Sequence, residues 1–325
     1  MTMDIKFYID GVLARNRRIT AKTITLIESS LPAHQEKAKA IIDALLPFTG
    51  KAVRIGITGV PGVGKSTYIE SFGMELVEQG HQVAVLAVDP SSSKSGGSIM
   101  GDKIRMEKLS LKPQAFIRPS PSGGTLGGVA RKTRETMIIC EAAGYDVIMV
   151  ETVGVGQSEI TVASMVDFFL LLMLAGAGDE LQGIKRGVLE LADAIAINKA
   201  DGDNLEKAKA AQKEYEKALS LLTPESPIWK PQVFTCSALT MDGIHEIWKA
   251  ILNHRKKLEA SGELGEKRRK QDLDWMWALV EEGLRDRFYK NVDVSEALPE
   301  IIKAVESGKT APTAAAHRLL GLNDN

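Results

Sequence analysis

Apolar positions in the first 48 residues recur at the helical period. Ile24, Ile27 and Leu31 share one face, and so do Ala38, Ile41, Ile42 and Leu45. Pro32 suits a helix start better than a helix interior, so it separates two helices. From residue 51 the pattern changes to short apolar runs alternating with amphipathic segments. Val53–Ile57 predicts a strand, followed by a glycine loop and a helix through about Gln79, which Gly80 closes. Val83–Val88 is apolar throughout, as expected of a parallel strand covered on both faces. Further strands are predicted at Ala115–Ile117, Val147–Val150, Phe168–Met173, Ala194–Ile197 and Val233–Thr235, with helical stretches between most of them. This alternation predicts an α/β fold built on a doubly wound, mostly parallel sheet. After about residue 255 the strands stop. Gly262, Gly265 and the charged stretch Glu263–Lys270 predict a hinge or solvated turn. A long helix then places Leu273, Trp277, Val280, Leu284 and Phe288 along one stripe, which packs either on its own domain or on a second subunit. The chain thus divides into a helical extension at 1–48, a core at 49–255 and a C-terminal helical region at 256–325.

Composition narrows the partners. Lys plus Arg number 41 against 42 Asp plus Glu, so neither nucleic acid nor a membrane surface is expected to bind through bulk charge. The longest apolar run, near Val166–Ala177, is too short for a bilayer and contains Asp167. The N-terminus lacks the features of a secretory signal and carries acidic residues that a mitochondrial presequence avoids, so a cytoplasmic protein is expected. Cys140 and Cys236 lie far apart in sequence and read as buried apolar fillers in a reducing compartment.

Candidate chemistry sits at the ends of the predicted strands. Gly59, Val60, Pro61, Gly62, Val63, Gly64, Lys65 and Ser66, followed by Thr67, match G-x-x-x-x-G-K-[ST] between a strand and a helix. Glycines let backbone N–H groups close around phosphates, Lys65 reaches the β- and γ-phosphates, and the Ser66 hydroxyl ligates magnesium. Asn198-Lys199-Ala-Asp201 follows a strand, and its carboxylate matches the paired donors of guanine, which adenine lacks. Lys199 would lay its aliphatic stem across the base. Ser237, Ala238 and Leu239 follow the next strand and would give a backbone contact to the base carbonyl. Asp89 and Glu151 stand at the carboxyl edge of the sheet, where each either holds magnesium or caps the following element. Gly154 is placed for a backbone contact that senses the γ-phosphate, and the segment through Ser158 would move on hydrolysis. The Gly/Ser-rich stretch 91–105 offers Asp102 as a further magnesium carboxylate, and Lys103 and Arg105 as phosphate partners or solvated loop residues. Residues 175–185, with Asp179, Gln182 and Lys185, read either as a third mobile loop near the nucleotide or as a surface loop. With Lys65 and Glu151, Gln157 completes the catalytic set as the candidate for positioning the attacking water, although its spacing from Gly154 differs from that of the familiar catalytic glutamine.

Taken together, 59–67, 88–92, 95–106, 150–159, 176–185 and 198–201 resemble the MeaB (ArgK-type) P-loop GTPases, and the helical flanks fit as well. The resemblance implies GTP and GDP as ligands, held at 59–67, Asp201 and 237–239. It implies magnesium handled by Ser66, Asp89, Asp102 and Glu151, and switch segments near 92–106, 154–159 and 177–185. It further implies a homodimer built through the C-terminal helices. The partner it implies is adenosylcobalamin-dependent methylmalonyl-CoA mutase, whose cofactor loading and protection the GTP state gates. Asp179, Gln182 and Lys185 are then candidates for coupling to that partner. The alternatives are a nucleotide-dependent kinase, for which no acceptor constellation is evident, a metal-insertion GTPase, for which 147–159 lacks Cys and His, and a binding module that does not hydrolyse.

Overall fold

A computed structural model of the chain describes residues 2–88, 106–119, 126–152, 158–176, 186–222 and 226–322. Among them, three helices open the chain: α1 (Thr2–Leu13), α2 (Arg17–Glu28) and α3 (Pro32–Leu45). Pro32 does begin a helix, and a second break precedes α2, where the Asn16 side chain accepts from Arg18 N and Ile19 N, each at 3.1 Å. There follow β1 (Val53–Gly59), α4 (Lys65–Glu78), β2 (Val83–Val88), α5 (Glu107–Ser110), β3 (Ala115–Arg118), α6 (Leu126–Ala142), β4 (Val147–Thr152) and α7 (Ser158–Ala163). The core continues through β5 (Phe168–Leu174), α8 (Arg186–Leu191), β6 (Ala194–Asn198), α9 (Leu205–Ser220), β7 (Gln232–Thr235) and α10 (Ile244–Ser261). Three described helices remain to the C-terminus: α11 (Glu263–Lys290), α12 (Val292–Glu306) and α13 (Pro312–Gly321).

The seven described strands form one sheet in the order β3-β2-β4-β1-β5-β6-β7, and every pairing is parallel. Successive side chains on a strand face opposite ways. In β2, Val83 and Val85 enter a core with α4 and α10, whereas Ala84, Leu86 and Val88 enter a core with α1–α3 and α6. That double coverage is why these strands read as unbroken apolar runs. The order jumps outward on both sides of β1, so the carboxyl ends of β1, β4 and β5 open a crevice at the switch in winding direction.

By packing, the chain divides into Met1–Gly265 and Glu266–Asn325. Helices α1–α3 belong to the first unit with the sheet, and residue 255 lies inside α10. The expected hinge over 263–270 is corrected: the break is Gly262 alone, at φ 85°, and Glu263–Lys270 is already α11. Glu, Leu, Lys and Arg are good helix formers, so charge density there signals a solvated helix rather than a turn. In the second unit α12 packs on α13, with Val294, Ile301 and Ala315 buried. Among the described residues no helix is long and apolar enough to cross a membrane.

Candidate functional site

The glycine loop leaves the end of β1 and enters α4 at Lys65. Gly62 and Gly64 have φ of 77° and 89°, a left-handed backbone that glycine adopts without steric cost. Gly64 is the N-cap of α4, and a Cβ there would stand 3.2 Å from Asn198 Nδ2. A turn of this shape at a helix start directs backbone N–H groups outward, the arrangement that receives phosphate.

Lys65 folds back along the loop, its Nζ donating to Gly59 O at 2.8 Å and Val60 O at 3.4 Å. Burial lowers its pKa below the ordinary lysine value, while the carboxylates of Glu151 and Glu159 pull it back up. Next to it, Ser66 Oγ donates to Glu151 Oε1 at 3.4 Å. A hydroxyl and a carboxylate thus converge beside the loop, and both are hard oxygen donors of the kind magnesium takes. Of the expected magnesium set, Ser66 and Glu151 come together in this way, whereas Asp89 and Asp102 lie outside the described residues. Gly154, Gln157, Asp179, Gln182 and Lys185 lie outside them too.

The second cluster forms at the ends of β6 and β7. Asn198 is buried, donates from Nδ2 to Val63 O at 2.8 Å and accepts at Oδ1 from Ala238 N at 3.1 Å. One side chain therefore ties the glycine loop to Ser237-Ala238-Leu239. The Cys236 thiol also donates to Asn198 Oδ1 at 3.7 Å. Lys199 stands at φ 60° and its Nζ reaches Gly62 O at 2.9 Å, so its stem runs toward the loop. Asp201 accepts from the Ser237 hydroxyl, which also receives Thr240 N at 3.2 Å. Leu239 is 81% exposed, a large apolar side chain left open beside these polar groups. A cavity of about 620 Å³ shares Asp201 as a wall but is lined by Leu205, Phe234, Thr240 and Glu246 rather than by Lys199 or Leu239, so it neighbours the base-contact set.

Both cysteines are free and buried; burial pushes the Cys236 thiol up to about 12, so it stays protonated as a donor to Asn198. One feature is not legible from the motifs. Thr152 donates to Thr58 at 2.7 Å, joining the ends of β4 and β1, and both are buried. Glu159, the last residue of the expected switch segment 154–159, is 6% exposed at the start of α7.

Comparison with known proteins bears on this geometry. A family model described as "Methylmalonyl Co-A mutase-associated GTPase MeaB" matches residues 20–293. A putative GTPase of Caulobacter vibrioides is 54% identical, over 98% of this chain and 97% of its own length. GTPase ArgK of Escherichia coli is 48% identical, over 93% of this chain and 92% of its own. The mitochondrial methylmalonic aciduria type A homolog of Mus musculus is 46% identical, over 95% of this chain and 77% of its own. Among solved structures, that of a LAO/AO transport system kinase superposes with a TM-score of 0.80 at 40% identity, covering 100% of this chain and 99% of that one.

Proposed function

The chain belongs to the family of methylmalonyl-CoA mutase-associated GTPases of the MeaB and ArgK type and is itself a GTPase, and from that premise we propose that it serves an adenosylcobalamin-dependent methylmalonyl-CoA mutase as a cytoplasmic GTP-driven chaperone. The observation that carries the nucleotide half of this reading is Asn198, whose two hydrogen bonds unite the glycine loop and the segment 237–239 into one site.

In this reading the N–H groups of 59–67 receive the α- and β-phosphates and Lys65 bridges to the γ-phosphate, releasing its bonds to Gly59 O and Val60 O. Asp201, held in orientation by Ser237, accepts from the guanine ring N–H and amine. The base lies on the Lys199 stem, with the backbone of Ser237, Ala238 and Leu239 facing its carbonyl. Ser66 and Glu151 would hold magnesium, joined by Asp89 and Asp102; bound there, the ion neutralises charge on the β- and γ-phosphate oxygens. Gly154 and Gln157 follow Glu151 in sequence and are assigned to sensing the γ-phosphate and orienting water. No arginine is placed on the γ-phosphate by the described geometry, so unassisted turnover is expected near ~10⁻⁴–10⁻² s⁻¹.

The mutase assignment rests on the family description and on the mitochondrial relatives. Residues 175–185, which follow β5 in sequence, are assigned to coupling through Asp179, Gln182 and Lys185. Binding of the purified mutase to the protein loaded with a non-hydrolysable GTP analogue or with GDP tests it. A difference in dissociation constant between the two loaded states supports the assignment; no binding in either state refutes it.

A further inference from the structure

Ser71 stands in the middle of α4, the helix that the glycine loop opens, and is half-buried. A serine inside a helix often turns its hydroxyl back to a carbonyl one turn earlier. Here the hydroxyl leaves the helix and donates to Ala238 O at 2.6 Å, 167 positions further along the chain. Ala238 is held at its other polar group too, because its N–H donates to Asn198 Oδ1 at 3.1 Å. On either side, Ser237 N donates to Asp242 O at 2.9 Å and Thr240 N to Ser237 Oγ at 3.2 Å. Of the N–H groups at 237–240, only that of Leu239 has no acceptor among the described residues, and the Leu239 side chain is exposed. Leu239 N–H and Ala238 C=O belong to one planar trans peptide, so they point opposite ways. By drawing the carbonyl onto α4, Ser71 turns that N–H away from the helix.

We propose that Ser71 is a positioning residue for base specificity, orienting the 238–239 peptide so that the Leu239 N–H meets the 6-carbonyl of guanine. The assignment rests on the nucleotide reading given above and narrows the backbone contact of 237–239 to one donor. Asp201 faces the ring N–H and the 2-amine in that reading, so the carbonyl needs a donor of its own. Adenine carries an amine at the same ring position, where a fixed N–H would face another N–H and repel it. Ser71 acts through the peptide rather than on the nucleotide, and without its hydroxyl the peptide plane is free to turn.

The experiment is equilibrium binding of two nucleotides to the wild type, Ser71→Ala and Ser71→Thr. One nucleotide is GDP, and the other is the diphosphate of 2-aminopurine riboside, which keeps the 2-amine and lacks the 6-carbonyl. The wild type is expected to prefer GDP. Alanine suits a helix better than serine, so Ser71→Ala keeps α4 intact. That variant is expected to weaken GDP binding by roughly 3–10-fold while the analogue stays within about twofold. Ser71→Thr keeps the hydroxyl and should keep the wild-type ratio of the two affinities. A purely structural role would weaken both nucleotides together. An unchanged ratio in Ser71→Ala, or an equal fall in the ratio for Ser71→Thr, overturns the proposal. If the wild type prefers GDP and Ser71→Ala does so to the same degree, only this proposal fails. If the wild type binds both nucleotides alike, the base-carbonyl reading of 237–239 fails with it.

Discussion

Asp201 and Ser237 form a carboxylate–hydroxyl pair at the ends of neighbouring loops, and Asn198 fixes the backbone beneath them. If that carboxylate reads guanine, Asp201→Asn presents an amide whose donor faces the ring N–H. Nucleotide competition should then show weakened GTP binding and a shift of preference toward xanthosine triphosphate, and unchanged GTP affinity would refute the role. Gly243 shows how tightly the same region is built. It stands at φ 75°, and a Cβ would fall 2.2 Å from Thr235 O. Gly243→Ala therefore has to move the backbone behind residues 237–239. A loss of about 1–3 kcal/mol is expected in denaturant unfolding, together with weaker GTP binding. The residues of the phosphate loop and base motif are legible in the string because each has a fixed spacing imposed by the nucleotide it fits. The Thr58–Thr152 pair is not, since its significance comes from strands distant in sequence meeting at one edge.

At the scale of elements, β1 is tied to α6 by an ion pair. Glu141 Oε1 accepts from Arg54 Nε at 2.6 Å and Oε2 accepts from Gly50 N at 2.5 Å, with the two side chains 16% and 2% exposed for Arg54 and Glu141. Removing one partner leaves the other charge buried and unanswered. Glu141→Ala is expected to cost about 3–5 kcal/mol in unfolding free energy, and a change under 1 kcal/mol would contradict the burial argument. All seven strands were legible as apolar runs, but their ends were not. Thr58, Gly59, Glu151, Thr152 and Asn198 extend β1, β4 and β6 with polar or small residues at the edge that carries the site. Strand order is equally invisible to local pattern, because β1 between β4 and β5 is a matter of crossovers. The charged start of α11 misleads for another reason: helix propensity outweighs the expectation that charge marks a turn.

At the scale of the whole molecule, the stripe on α11 presents Leu273, Trp277, Val280 and Leu284 at 57%, 59%, 43% and 59% exposure. A run of apolar side chains left open in this way marks an interaction surface, and a second copy of the chain is the proposed occupant. Sedimentation is expected to show a dimer for the wild type and a monomer for Trp277→Glu. A wild-type monomer at micromolar concentration would remove the assignment. If its basal turnover is as slow as proposed, this GTPase gains a purpose only when a partner biases its nucleotide states, and a partner shifts them by no more than its difference in affinity between them. The most direct measurement is GTP hydrolysis by this protein with and without a purified adenosylcobalamin-dependent methylmalonyl-CoA mutase. Stimulation of roughly 5–150-fold is predicted, corresponding to a coupling of about 1–3 kcal/mol, and Lys185→Ala should reduce it while leaving the basal rate intact. An identical rate with and without the mutase would contradict the account.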